Sequence, residues 1–257
     1  MMFARPLFIQ NLDNRNMDTI DDSELFGSKL LKNIYTYFFI KKEISLVKKM
    51  FNRKNLTLLD VGCGTGWVTK QYETNGFSVT GLEASQARAD YAREKYKLNI
   101  YNHFAEDFNS ENKYDVIIIR HLVEHLEDPQ GIIRKLKKNL KDDGVFLILV
   151  PNITCIGKIL FDTAWEWVIP WHCNFFSPKS AHAFAREAGL QIEKMYQTSS
   201  SLYYPSSFMK KFPNSPLNPL LRNRIAGMAL FAPIAILGKF FGLGDNLNIV
   251  ARNRIEA

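Results

Sequence analysis

The sequence of 257 residues predicts an α/β fold built on a doubly wound, mostly parallel sheet. Three observations predict it. Strand-like and helix-like patterns alternate through the middle of the chain. Segments 56–61, 114–119 and 145–150 are continuous apolar runs, which strands covered by helices on both faces require. The first run ends at Asp60 and is followed by Gly62, Gly64 and Gly66 before a helical pattern, a place where the backbone turns sharply and approaches a ligand.

Each element follows from its own signal. From Asp21 to Lys54, apolar residues recur near helical spacing at Leu30, Leu31, Ile34, Phe38, Ile44, Val47 and Phe51, with lysines between them. LTLLDV (56–61) is a buried-type strand, and a helix runs from Trp67 to Thr74. FSVTGLE (77–83) is the next strand and ends in an acid; Ser85 then caps a helix through Lys95. NIYNHF (99–104) and KYDVIIIR (113–120) follow as strands. PQGIIRKLKKNL (129–140) is helical, with proline at its start and basic residues at its end. Asp143-Gly144 turns the chain into the strand VFLILVP (145–151). A helix over Lys179–Ala188, stopped by Gly189, leads to strands LQIEKMY (190–196) and LNIVARN (247–253). Two stretches break the alternation: 152–176, which holds three of the four tryptophans, and 199–246.

Composition bounds the class. With 46% hydrophobic and 23% charged residues, the chain suits one large domain or one domain with an insertion. Three scattered cysteines make no disulfide framework. The N-terminal MMFARPLFIQNLDNRNMDTIDD is broken by Arg5 and Pro6 and is not a signal-peptide pattern, so a cytoplasmic chain is expected. The net charge of +7 divides as +4 over 1–54, −2 over 55–198 and +5 over 199–257. Basic flanks suit a membrane surface, nucleic acid or an anionic substrate, and equally an ordinary lysine-rich surface.

The strand, three glycines, helix and second strand ending in Glu83 together resemble the class I S-adenosylmethionine-dependent methyltransferases. Their first motif, D-x-G-x-G-x-G, is matched by Asp60-Val-Gly62-Cys-Gly64-Thr-Gly66. The spacing departs from the dinucleotide fingerprint G-x-G-x-x-G. YDVIIIRHLVEHLEDP (114–129), LKDDGVFLILVPN (140–152), WHCNFFSPKSAHAFAREAGLQIEKM (171–195) and GDNLNIVAR (244–252) resemble later segments of the family. The resemblance implies a Rossmann-like, seven-stranded sheet with the last strand antiparallel. The residue patterns add an expected N-terminal helical cap (1–54) to a methyltransferase domain (55–257), with the stretch 152–176 as an aromatic lid and 199–246 as an apolar insertion.

The same resemblance implies site roles. The three glycines would admit the methionine part of the cofactor, Asp60 would orient it, and Glu83 would bind the ribose hydroxyls. The acid expected near adenine is displaced here to Glu106 or Asp107. Arg120 and His121 would lie in the loop facing the sulfonium. Methyl transfer to oxygen or nitrogen needs an acceptor held in line and a group to take its proton. A histidine suits that task; His121, His125 and His172 are the candidates, with His172 or His125 preferred, and each has an equally good structural explanation.

His121-Leu-Val-Glu-His125 also spells H-x-x-E-H, a zinc-peptidase pattern when carried on a helix. The methyltransferase context already accounts for it, and no metal ligand set is assigned. Aromatic residues crowd 161–176, either as a lid that stacks on a sugar or ring or as an apolar cover on the sheet.

No feature points to a nucleic-acid acceptor, since the loop after the fourth strand is not Asn/Asp-Pro-Pro-aromatic and no Pro-Cys pair offers a nucleophile. Residues 225–242, IAGMALFAPIAILGKFFG, are too short an apolar run to span a bilayer comfortably, which takes about 20 residues. A span there would also separate two strands of one sheet. A peripheral membrane anchor, an apolar helical packing element and a homodimer face remain open. These features point to O-methylation of a hydrophobic or lipid-linked acceptor, such as a glycan intermediate of cell-surface polysaccharide biosynthesis. A quinone precursor or other small molecule is the alternative, and a non-catalytic, membrane-associated, cofactor-binding partner protein is the rival.

Overall fold

A computed structural model describes residues 29–254, and side chains from 32 onward. The N-terminal MMFARPLFIQNLDNRNMDTIDD and the first part of the helix expected from Asp21 lie outside the described residues. The elements run α1 (Lys29–Tyr35), a π-helical turn (Thr36–Ile40), α2 (Lys41–Lys49), β1 (Thr57–Val61), α3 (Trp67–Thr74), β2 (Ser78–Leu82), α4 (Gln86–Tyr96), β3 (Ile100–Tyr101) and β4 (Tyr114–Arg120). They continue with α5 (Pro129–Leu136), β5 (Leu140–Pro151), α6 (Ile156–Phe161), α7 (Pro178–Glu187), β6 (Leu190–Thr198), α8 (Tyr204–Lys211), α9 (Asn218–Leu221), α10 (Arg224–Phe240) and β7 (Asn246–Asn253). Seven strands form one sheet in the order β3-β2-β1-β4-β5-β7-β6. β1 pairs in parallel with β2 and β4, and β6 pairs antiparallel with β7, as the sequence predicts.

The chain divides into two compact units. The first holds the described residues up to Arg120 together with Gly131–Leu147. Its centre is apolar: Leu58, Leu59, Val116, Ile117, Ile118 and Ile119 are all fully buried, which explains why β1 and β4 read as unbroken hydrophobic runs. The N-terminal segment departs from the expected continuous amphipathic helix. Ile44, Val47 and Phe51 are buried as predicted, whereas Ile34 and Phe38 are 42% and 51% exposed. The π turn, which contains Phe38, accommodates an extra residue, so the apolar positions up to Phe38 are out of register with those after it.

The chain bends at Asp143-Gly144 as expected, since a Cβ on Gly144 would lie 2.8 Å from Leu140 Cγ and 2.9 Å from Lys141 O, although β5 already begins at Leu140, ahead of the bend. Charge holds the strand's start in place. Asp115 accepts from the Thr57 main chain at 2.7 Å and from Lys141 Nζ at 2.9 Å, and it pairs with Arg53, which also pairs with Asp143.

The second unit holds His121–Gln130 and the described residues from Ile148 onward. α7 begins with a capping box, in which Ser177 Oγ accepts from Ser180 N while Ser180 Oγ accepts from Ser177 N, with Pro178 at the first turn. The insertion between β6 and β7 shares a core with the stretch that follows β5. Cys155, Phe161, Trp165, Tyr204, Leu221, Phe231 and Ala235 cluster together, so Phe161 and Trp165 are packing residues. Asp245 ties this cluster, accepting from Tyr204 Oη at 2.8 Å and Ser200 N at 3.1 Å. Burial pushes its carboxyl up to about 6.

α10 is the apolar run 225–242 made visible. Asn223 caps it, accepting from Ala226 N at 3.1 Å. Its buried stripe is narrow: Gly227, Phe231, Ala235 and Gly238. At Gly238 a Cβ would collide with Ile156, so the glycine lets α10 meet α6 closely. The opposite face leaves Ile225, Leu230, Ile236, Leu237 and Phe240 in solvent, the last 81% exposed. No described helix is long and apolar enough to cross a membrane.

Candidate active site

The candidate cofactor loop grows from the end of β1. Leu82 O accepts from Gly62 N at 2.7 Å and Cys63 N at 3.1 Å, which folds the glycine turn onto β2. Gly62, Gly64 and Gly66 all have positive φ, at 75°, 57° and 80°. The two later glycines serve different ends. A Cβ on Gly66 would lie 2.8 Å from Ala92 Cβ and 2.9 Å from Leu98 Cδ1, so this glycine is needed for packing as well as for the turn into α3. A Cβ on Gly64 would meet nothing within 4 Å. Its glycine serves the backbone conformation and leaves open space in front of the loop.

Glu83 is buried directly after β2. Its carboxylate accepts from Gly64 N at 2.8 Å and Ser85 N at 2.9 Å, one bond to each oxygen. Each oxygen retains a lone pair for a hydroxyl donor. Asp60 is buried and accepts from Thr69 Oγ1 at 2.6 Å; burial pushes its carboxyl up to about 6. An open glycine loop beside an anchored carboxylate fits an S-adenosylmethionine ribose and methionine tail. Glu106 and Asp107 sit on the turn after β3, both exposed. Arg120 is turned inward: it pairs with Glu43, whose Oε1 also accepts from Tyr72 Oη at 2.6 Å.

The histidines form a separate group in the second unit. H-x-x-E-H does not lie on an α-helix. His121 has φ +50°, and only Val123–His125 make a short 3₁₀ turn. This brings Glu124 into the cluster, a residue with no expected role beyond that pattern. His121 Nδ1 lies 3.3 Å from Glu124 Oε1, and Glu124 is fully buried. Trp167 stacks on His121 at 5.0 Å between ring centroids and on His172 at 5.7 Å. His125 Nδ1 lies 3.1 Å from Trp171 O, which fixes the proton on that nitrogen because a carbonyl only accepts. Burial pushes His172 down to about 4 and lowers His125 as well; the Glu124 charge opposes both shifts without offsetting them.

The aromatic stretch is therefore split by role. Trp167 and Trp171 serve the histidines, Phe176 packs edge-on against Phe184, and Phe175 is 44% exposed.

A ubiquinone biosynthesis O-methyltransferase of Rickettsia bellii is 28% identical over 165 residues, covering 59% of this chain and 69% of that protein. The protein of the same name from Hydrogenovibrio crunogenus is 28% identical over 205 residues, covering 74% and 82%. Among solved structures, the plantazolicin methyltransferase BpumL, in complex with a desmethyl analogue and SAH, superposes with a TM-score of 0.60 at 17% identity, covering 96% of this chain and 93% of that one. That likeness carries the fold. A family model described as a methyltransferase domain matches residues 35–195. With that match across more than half of its length, the chain belongs to the methyltransferase-domain family and is an S-adenosylmethionine-dependent methyltransferase of class I fold.

Proposed function

We propose that the chain methylates a hydroxyl oxygen of a hydrophobic small molecule, with a phenolic quinone precursor as the acceptor class. The observation that carries this reading is the His121–Glu124 pair beside the Trp167 ring. A buried carboxylate facing Nδ1 favours the tautomer with the proton there, so Nε2 keeps the lone pair that takes a hydroxyl proton. His121 is more exposed than Glu124, with 26% of its side chain accessible, whereas His125 and His172 are buried and tied to main-chain groups. The preference for the general base therefore moves from His172 or His125 to His121. Asp60, Gly62, Gly64, Gly66 and Glu83 would hold the cofactor, with Glu106 or Asp107 near adenine. When bound, the cofactor supplies an electrophilic methyl on a sulfonium. The names of the curated relatives support a quinone-type acceptor, and none of them supports a lipid-linked glycan.

A peripheral membrane position belongs to the same reading. The exposed face of α10 is apolar, and residues 199–244 contain Lys210, Lys211, Arg222, Arg224 and Lys239 but no Asp or Glu. Such a surface suits anionic headgroups with apolar residues inserted beneath them.

Incubation with methyl-labelled cofactor and a prenylated catechol tests the activity. Label on a phenolic oxygen is the expected product. Cofactor binding without transfer to any phenol would overturn the reading and favour a non-catalytic partner protein.

A further inference from the structure

Three side chains of metal-ligand type converge in the second unit. One ligand atom from each of Glu124, His125 and His172 lies within 4.8 Å of the others. Bonds of about 2 Å to one ion leave ligand atoms about 3–4 Å apart. Modest side-chain closure therefore completes the set.

Glu124 supplies a second observation that points to a ligand. Its Oε1 faces His121, while Oε2 is sealed from solvent with no hydrogen-bond partner. A buried carboxylate oxygen without a donor is unfavourable unless something positive meets it. Both imidazoles are also held as metal ligands commonly are, with one ring position tied to main chain. His125 Nδ1 meets Trp171 O, and His172 is hydrogen-bonded to the main chain of Trp167. The frame is firm. Glu124 O accepts from Cys173 N at 2.8 Å and Asn174 N at 3.0 Å, and Asn174 Nδ2 donates to Leu126 O at 2.7 Å.

We propose that Glu124, His125 and His172 bind a divalent transition-metal ion of the zinc class, in a three-ligand site that keeps a coordination position open. Two imidazoles and a carboxylate suit such ions better than magnesium or calcium, which favour oxygen alone. The open position would take the acceptor's hydroxyl oxygen and lower its pKa. The hydroxyl proton would pass to His121, the O–CH₃ bond would form as the S–CH₃ bond breaks, and the cofactor would leave as a neutral thioether. This role rests on the O-methylation reading; the metal site does not.

The full chain, stripped with a chelator and dialysed, is titrated with Zn²⁺ by calorimetry and with Co²⁺ by visible absorption. The expected result is one ion per chain, a low-symmetry Co²⁺ spectrum and a higher melting temperature in Zn²⁺. Glu124→Gln and His172→Gln should each weaken Co²⁺ binding by more than about 100-fold, beyond what loss of an outer partner causes. SAH affinity, measured without metal, should be unchanged in both variants and checks their fold. Cys173→Ser should leave the Co²⁺ spectrum as it is. No ion bound by the wild type, or binding that survives both ligand changes or depends on Cys173, overturns the site. Methyl transfer is scored separately. Full transfer in chelator with no ion bound removes the metal and keeps O-methylation; an ion bound with no transfer to any phenol does the reverse.

Discussion

Glu43 and Arg120 form an ion pair nearly removed from solvent, with side chains 5% and 14% exposed. Burial works against the Arg120 charge, and Glu43, Tyr35 and Tyr72 more than offset it, so the guanidinium is held firmly protonated. Glu43→Gln would leave that charge uncompensated, at a cost of about 3–5 kcal/mol in urea unfolding. Replacing both partners with Met should recover most of the loss. A double variant as unstable as the single one would show that the pair is not what the site depends on.

Acid stability should depend on Asp115. Burial alone would raise its carboxyl, but hydrogen bonds from Arg53, Thr57 and Lys141 hold it well below the usual range. A carboxyl depressed in the folded state stabilises above its unfolded pKa of about 3.9, and the contribution is lost as pH falls below that value. The urea midpoint of the wild type should therefore drop on going from neutral pH to about pH 3, and Asp115→Asn should flatten that drop. Asp60 runs the other way. Its folded pKa of about 6 means its contribution declines as pH rises from about 4 to 6.

The two glycines of the proposed cofactor loop should separate folding from binding. Gly66→Ala adds a methyl against Ala92 and Leu98 at positive φ, and should cost about 2–4 kcal/mol from strain and overpacking together. Gly64→Ala meets open space, so only the backbone penalty of about 1–2 kcal/mol applies. SAH titration should nonetheless show a larger affinity loss for Gly64→Ala than its thermal shift accounts for. Equal affinity in Gly64→Ala and wild type would remove the loop from the cofactor site.

His121→Gln should lower kcat by about 10²–10⁴-fold while leaving SAH affinity intact. A variant that keeps full kcat would return the assignment to His125 or His172.

Ile236→Asp and Phe240→Asp place charge on the exposed face of α10, where the parent residues are 68% and 81% accessible. Co-sedimentation with anionic vesicles should fall in both variants, and wild-type binding should weaken in high salt. Wild-type protein that ignores vesicles but elutes as a dimer, turned monomeric by these changes, would assign the face to a second copy instead.

The parts legible in the sequence were those fixed by local rules. Asp60, the glycine turn and Glu83 are set by one strand–turn–helix unit and the strand after it, and the structure has α3 at the predicted Trp67–Thr74. The antiparallel β6–β7 pair was legible too. The π turn was not, because inserting one residue into a helix leaves a plausible helical pattern on either side of it. The start of β5 at Leu140, ahead of the Asp143-Gly144 turn, was not legible either, because it depends on Arg53, from a distant part of the chain, pairing with Asp143. Glu124 was hidden for a related reason. Its partner His121 depends on a positive φ, and His172 reaches it only through tertiary folding.

Thr198 and Asn246 are direct partners across the β6–β7 ladder. Both ends of the insertion are therefore clamped side by side, whatever lies between them. Lengthening such a connection costs only about 0.6 kcal/mol per doubling of its length. The segment 199–245 can thus change in length at little entropic cost, so long as whatever stands there still covers Phe161 and Trp165.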